Sequence, residues 1–182
     1  MKKIVLTFGL ISGAISSLFM ICTLPFIEKI GFDKGMYVGY TAMVLSFLLV
    51  FFGIRSYREN VGGGEITFFR AFSVGILITV ISCLCYVATW EVVSHRFMPD
   101  FAEKFAAHSL EQAKASGASA QEIEAKRVEL ENFKRLYANF FFNAAVTFLE
   151  PLPVGILITL LSAFILRKKQ KAVNGTEQLA SG

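Results

Sequence analysis

The sequence predicts an all-α integral membrane protein, a bundle of four transmembrane helices carrying an extracytoplasmic helical hairpin, and three observations predict it. Apolar runs occupy 4–27, 35–54, 71–90 and 136–166, and about 20 apolar residues of helix suffice to cross the hydrocarbon core of a bilayer. The first three runs hold no charged residue and the fourth holds only Glu150. At 54% hydrophobic and 18% charged, the 182 residues fall short of the roughly one quarter charged that is usual in soluble domains. Much of the surface is therefore expected to face lipid. The one long polar stretch, 91–135, repeats its apolar residues at helical spacing, so a single membrane domain over 1–182 accounts for the chain.

The first span, about 4–27, follows Lys2 and Lys3. It is longer than the roughly 7 to 15 apolar residues of a signal core and no small-x-small cleavage site follows it, so it is read as a helix that stays. Cys22 is preceded by the bulky Ile21, against a lipoprotein site. Gly9, Gly13 and Ser17 fall four apart, which lets another backbone approach closely; the neighbour is either a helix of the same bundle or a second copy of the chain. The second and third spans, about 35–54 and 71–90, are joined to their neighbours by short connections that favour antiparallel packing. Between them Gly62-Gly63-Gly64 reads as a turn before a helix capped by Thr67. It lacks the Lys-Ser/Thr of a phosphate-binding loop.

The hairpin is expected over about 99–138. Phe101, Phe105, Ala106, Leu110 and Ala113 share one helical face, and Ile123, Leu130, Phe133 and Tyr137 another. Gly117 is suited to end the first helix, and Ser119 with Glu122 forms a capping box that opens the second. Glu122 with Lys126, and Glu131 with Arg135, are spaced to pair across one turn. The second helix is expected to continue unbroken into the fourth span, about 139–166.

That span contains Glu150, Pro151 and Pro153. An ionisable residue inside a span is costly and is a functional candidate by default. Each proline removes an amide donor, leaving carbonyls among residues 143–149 without helix partners. Two readings stand side by side. Glu150 sits in the bundle beside a kink, able to bind a cation or relay a proton, or it sits at the outer interface with Pro151 in the first turn of a shorter helix, 154–166.

The fourth span also echoes the third. Residues 67–82 read TFFRAFSVGILITVIS and 147–162 read TFLEPLPVGILITLLS, with nine of sixteen positions identical at an offset of 80. Helices of opposite direction that share a sequence have the form of an inverted repeat, as in many transporters. The same echo follows from a shared packing need, with Gly75 and Gly155 admitting close neighbours.

Charge sets orientation. With the N-terminus inside, segments 1–3, 55–70 and 167–182 carry nine Lys/Arg against Glu59, Glu65 and Glu177, while 25–34 and 91–135 carry nine against ten acids. Positive charge on short loops stays inside, which places both termini in the cytoplasm. Arg167, Lys168, Lys169 and Lys171, at the head of the basic tail 167–182, form the strongest anchor and are suited to anionic lipid. Nucleic acid is not an expected partner. Glu91 and His95 lie one turn apart beyond the third span, weak candidates for a metal without a fixed third ligand. Cys22, Cys83 and Cys85 lie in apolar runs and read as buried small hydrophobes. No hydrolase, metalloprotease or kinase motif occurs, so neither enzyme activity nor a cofactor is expected.

Gly9-Leu10-Ile11-Ser12-Gly13, Gly53-Ile54-Arg55-Ser56-Tyr57-Arg58, Ile66-Thr67-Phe68 to Ala71-Phe72, the Ala115-Ser116-Gly117-Ala118 turn, and Phe148-Leu149-Glu150 with Pro153-Val154-Gly155 together resemble the bacterial membrane family catalogued as domain of unknown function 4199. The resemblance runs from Lys2 to about Lys169 and implies a location in the bacterial cytoplasmic (inner) membrane. The functional expectation is an accessory or interaction protein that binds a membrane protein partner or itself; a small carrier using Glu150 is the alternative, and a membrane enzyme the remote one.

Overall fold

The computed structural model describes residues 1–168, with the backbone alone at 25, 27–30, 32 and 33. Its helices are α1 Lys2–Thr23, α2 Ile27–Asn60, α3 Phe68–Arg96, α4 Phe101–Ala115, α5 Ala120–Tyr137, α6 Phe140–Leu149 and α7 Leu152–Leu166. Four stretches are long and apolar enough to cross a membrane: Lys2–Thr23, Lys34–Asn60, Phe68–Arg96 and, taking α6 and α7 together, Phe140–Leu166. The fold is all-helical, as expected. Helix α1 stops at Thr23, short of the expected 27, because Pro25 falls in a 3-10 turn, Leu24–Phe26. Helix α2 is bent at Gly31, whose φ of 76° and ψ of 162° suit only a residue without a Cβ. At the other end α2 outruns its apolar stretch by a polar turn, where Arg55 Nε donates to Glu59 at 2.9 Å.

Helix α3 is the centre of the bundle, packed on α1, α2, α6 and α7. Small residues let the backbones close on it. A Cβ at Gly9 would come within 2.8 Å of Ile81, and one at Gly13 within 2.5 Å of Cys85, so this stripe of α1 is used inside the chain. Ser17 accepts a bond from Thr89 at 2.7 Å. Ser12 donates to the Ser46 carbonyl at 2.9 Å and bonds Ser82 at 3.0 Å, a polar seam joining α1, α2 and α3 where water cannot serve as partner. Phe47, Val50, Ile54, Val74 and Ile78 are buried around it. Outward-facing Leu157, Phe164 and Ile165 are more than half exposed, as lipid contact requires.

The echoed segments meet each other. Gly75 faces Thr159 and Gly155 faces Thr79, each too close for a Cβ, and the two threonine hydroxyls hydrogen-bond at 3.2 Å. Pairing 75 with 159 and 79 with 155 makes α3 and α7 antiparallel, with the repeated Val-Gly-Ile-Leu-Ile-Thr at the centre of a local twofold crossing.

At the end of the bundle away from the hairpin, Ile66 and Lys168 exchange backbone bonds of 3.2 and 2.9 Å. Arg58 Nη1 donates to the Leu166 carbonyl at 3.4 Å. Arg70, the echo position of Glu150, is at this end too, its Nε donating to the Tyr57 hydroxyl at 3.1 Å. Thr67 caps α3, accepting from the Arg70 amide at 3.4 Å.

The hairpin forms as its turn residues dictate. Gly117, at φ 80°, ends α4, with the Ala118 amide donating to the Ala113 carbonyl at 3.1 Å, a closure that needs the left-handed conformation. The Ser119 amide donates to Glu122 at 2.8 Å and the Glu122 amide to Ser119 Oγ at 3.3 Å, completing the capping box. The expected pairs across one turn are replaced by shorter ones. Glu122 is engaged in the box, Lys126 pairs with Glu129 at 3.0 Å, and Lys134 takes Glu131 at 2.8 Å. Arg135 donates instead to Asn132 at 3.1 Å.

Helix α5 does not run on into the fourth span. It ends at Tyr137, and Asn139 starts a new helix, its side-chain oxygen accepting from the Phe141 and Phe142 amides at 3.0 and 3.2 Å. An asparagine before an apolar run is a cap as readily as an interior residue, and here the cap wins. The second break, at Glu150, is the expected one, although α7 begins at Leu152 and not 154, with proline in its first turn where no amide is required.

Candidate functional site

The α6 segment is set apart from the rest. It packs on α3 and α5, whereas α2 packs on α1, α3 and α7. The half of α2 nearest the hairpin and the facing α6 therefore leave a gap. This gap is a cavity of about 590 Å³. One wall is the hairpin-side end of α1, with Phe19 and Met20; another is the stretch of α2 from Gly35 to Met43; α3 contributes Tyr86 and Trp90, and α6 contributes Val146, Thr147 and Glu150. The hairpin closes it from above with Phe101, Phe105 and Phe133.

Hydrophobic packing brings the roof down onto the bundle. Trp90 and Phe101 meet edge to face at 4.8 Å, Phe105 lies 5.7 Å from Phe133, and Phe133 lies 5.1 Å from Tyr137. Trp90 Nε1 donates to the Tyr137 hydroxyl at 2.7 Å, and Tyr137 in turn meets Thr147. Thr147 donates to Asn143 at 3.2 Å, both buried against α3. Burial pushes the Tyr137 phenol up to about 12, so it stays protonated and keeps a proton to donate. A polar chain thus ties α3, the end of the hairpin and α6 together along one side of the cavity.

Glu150 stands at the end of α6 and opens onto this cavity, with the Tyr86 side chain facing it. At 1.5 Å per residue, about 15 Å of helix separates it from Phe140 and about 24 Å from Leu166. It lies inside Phe140–Leu166, the stretch long and apolar enough to cross a membrane. Pro151 opens a shorter helix, as one of the two sequence readings has it, and Glu150 lines the cavity. Among the described residues no salt bridge includes it, and it is the one Asp, Glu, Lys or Arg that lines the cavity. The carbonyls of Thr147 and Leu149 lack helix donors because residues 151 and 153 are prolines.

The other sequence candidates lie elsewhere. Gly9, Gly13, Ser17, Gly75 and Gly155 are at helix crossings away from the cavity wall. His95 Nδ1 lies 2.8 Å from the Glu91 backbone oxygen and 3.7 Å from the Glu91 carboxylate, and among the described residues no third metal ligand joins them. Both Glu91 carboxylate oxygens are buried without a hydrogen-bond partner. Cys83 is buried, Cys85 half-buried and Cys22 exposed, all as free thiols. Arg167 lies over the Phe164 ring at 4.1 Å; Lys168 is paired with Ile66, and Lys169 and Lys171 lie outside the described residues. Sequence reasoning did not find the cavity. Its one visible signal was the aromatic series Trp90, Phe101, Phe105, Phe133 and Tyr137, whose members sit on three helices.

A family model described as protein of unknown function (DUF4199) matches residues 7–168. No curated protein and no solved structure matches the chain.

Proposed function

We propose that this chain, which belongs to the family described as protein of unknown function (DUF4199), is a non-enzymatic accessory protein that holds a small amphiphilic molecule in the cavity beneath its hairpin. The cavity itself carries the reading. Its volume of about 590 Å³ falls in the range of roughly 300–1,000 Å³ that small-molecule sites occupy, and a largely apolar lining with a few convergent polar groups is what such sites share. Both α2 and the α6–α7 pair include stretches long and apolar enough to span, which supports entry of the ligand from the lipid through the gap between α2 and α6. The charge balance of the loops supports an orientation with the hairpin outside, and the family resemblance supports a bacterial cytoplasmic membrane, which makes this a site of the outer leaflet.

The test is native mass spectrometry of protein extracted gently from membranes. Wild type is expected to release a bound small molecule, and Val146→Trp, which fills the cavity from α6, is expected to release none. Equal amounts from both proteins would place the molecule elsewhere and overturn the reading. The break at Glu150 and Pro151 favours a second reading, a carrier in which α6 gates the same cavity. Purified protein in vesicles should show no ion or proton flux; a flux abolished by Glu150→Gln would establish the carrier instead.

A further inference from the structure

The single carboxylate in the described cavity lining narrows the class of ligand. A carboxylate inside a spanning stretch with no cationic partner is costly, and the described cavity lining supplies Glu150, within Phe140–Leu166, with a phenol from Tyr86 but no lysine or arginine. His108 is the one titratable base in the lining, on α4 in the roof. The remaining polar lining groups are the hydroxyls of Ser16, Thr23, Ser109, Tyr137 and Thr147 and the Gln112 amide, none of which carries positive charge. The same lining includes the rings of Trp90, Phe101, Phe105, Phe133 and Tyr137. Aromatic faces attract cations, and tryptophan does so best. A molecule that fills this space therefore satisfies the site by presenting positive charge toward Glu150 and apolar bulk to the aromatic and methionine lining.

We propose that the cavity is a site for an organic cation with an apolar body, an ammonium-bearing amphiphile, with Glu150 as its counter-ion and the aromatic roof as its second recognition element. This rests on the reading of the cavity as a ligand site. A free hydrophobic amine and the head group of an amine-bearing lipid share the required chemistry.

Trp90, the chain's sole tryptophan, lines the cavity and reports on its occupancy. In detergent micelles, tetraphenylphosphonium is expected to change Trp90 emission saturably, while neutral triphenylphosphine oxide binds at least tenfold more weakly. Glu150→Gln is expected to weaken the cation at least tenfold and leave the neutral probe unchanged, whereas Glu150→Asp, which keeps the charge, retains most of the affinity. The charge series also guards against a folding defect, since the Asp variant and the neutral probe read the integrity of the pocket. Displacement of the phosphonium by a short-chain phosphatidylethanolamine assigns the site to the lipid head group, and displacement by dodecylamine alone assigns it to a free amine; both sustain the proposal. Equal binding of the two probes with no effect of Glu150→Gln overturns the cation class while leaving the cavity as a ligand site. No response to either probe, with equal release of small molecule from wild type and Val146→Trp in native mass spectrometry, overturns both.

Discussion

The two halves of the fourth span meet the same helix, α3, in opposite ways. On the α7 side, Gly155 and Thr159 lock against Thr79 and Gly75, leaving no room for an added carbon. On the α6 side, which also packs on α3, Asn143 and Thr147 are buried, and a gap toward α2 is left open as the cavity. The sequence echo divides at the same place. The identical part, Val-Gly-Ile-Leu-Ile-Thr, makes the crossing, and the divergent part, Phe-Leu-Glu-Pro-Leu-Pro where α3 begins Phe-Phe-Arg-Ala-Phe-Ser, makes the break and the site. One local motif therefore accounts for firmness and another, six residues away, for the space.

The comparison is broken most directly by adding bulk to each half in turn. Gly155→Leu is expected to cost about 3 kcal/mol, since overpacking forces backbone shifts at the crossing, and should lower the thermal midpoint in detergent by several degrees. Gly39→Leu, at a cavity-lining glycine with nothing within 4 Å, should change it by no more than about 0.5 kcal/mol. Equal losses from the two would mean that the cavity wall is as tightly packed as the crossing.

A smaller effect sharpens the boundary of the loose half. Asn139→Ala removes the cap of α6 at a cost of about 1 kcal/mol. Amide exchange should rise at Phe141 and Phe142 and stay unchanged in α7. Exchange rising through both helices would show one continuous unit in place of two.

The smallest expected effect lies at the hairpin turn. The Ser119 amide and hydroxyl bonded to Glu122 hold its carboxyl below the usual carboxylate range. A group whose folded value is lowered contributes stability that is fully present above its unfolded pKa and is lost as pH falls through the folded value. Protection of the first-turn amides of α5 should accordingly weaken on acidification below the ordinary carboxylate range, and Ser119→Ala, which removes the hydroxyl but keeps the amide bond to Glu122, should reduce that pH dependence in part. An unchanged dependence in Ser119→Ala would assign it to another group.

The spans, the hairpin and its turn were legible because their signals are local: uncharged runs of sufficient length, one face of apolar residues, Gly117 followed by the Ser119 and Glu122 box. The break at Asn139 was also local but ambiguous, since an asparagine flanked by alanine and phenylalanine fits a helix interior as well as a cap. Glu150 stood out by its charge alone. Its surroundings did not, because the cavity arises from two helices, α2 and α6, failing to pack, and an absence of packing between segments about a hundred residues apart leaves no pattern in either. The meeting of the two echoed motifs was hidden for the same reason, although their shared glycine and threonine were in view.

Helix α6 is a rod of ten residues with a joint at each end, one at Ala138 and Asn139 and one at Glu150 and Pro151. Its far joint is anchored to α7, which the crossing with α3 holds fast, and its near joint is continuous with the hairpin. In the language of linkages it has the form of a coupler between the hairpin and α7, with Glu150 at the joint on the α7 side.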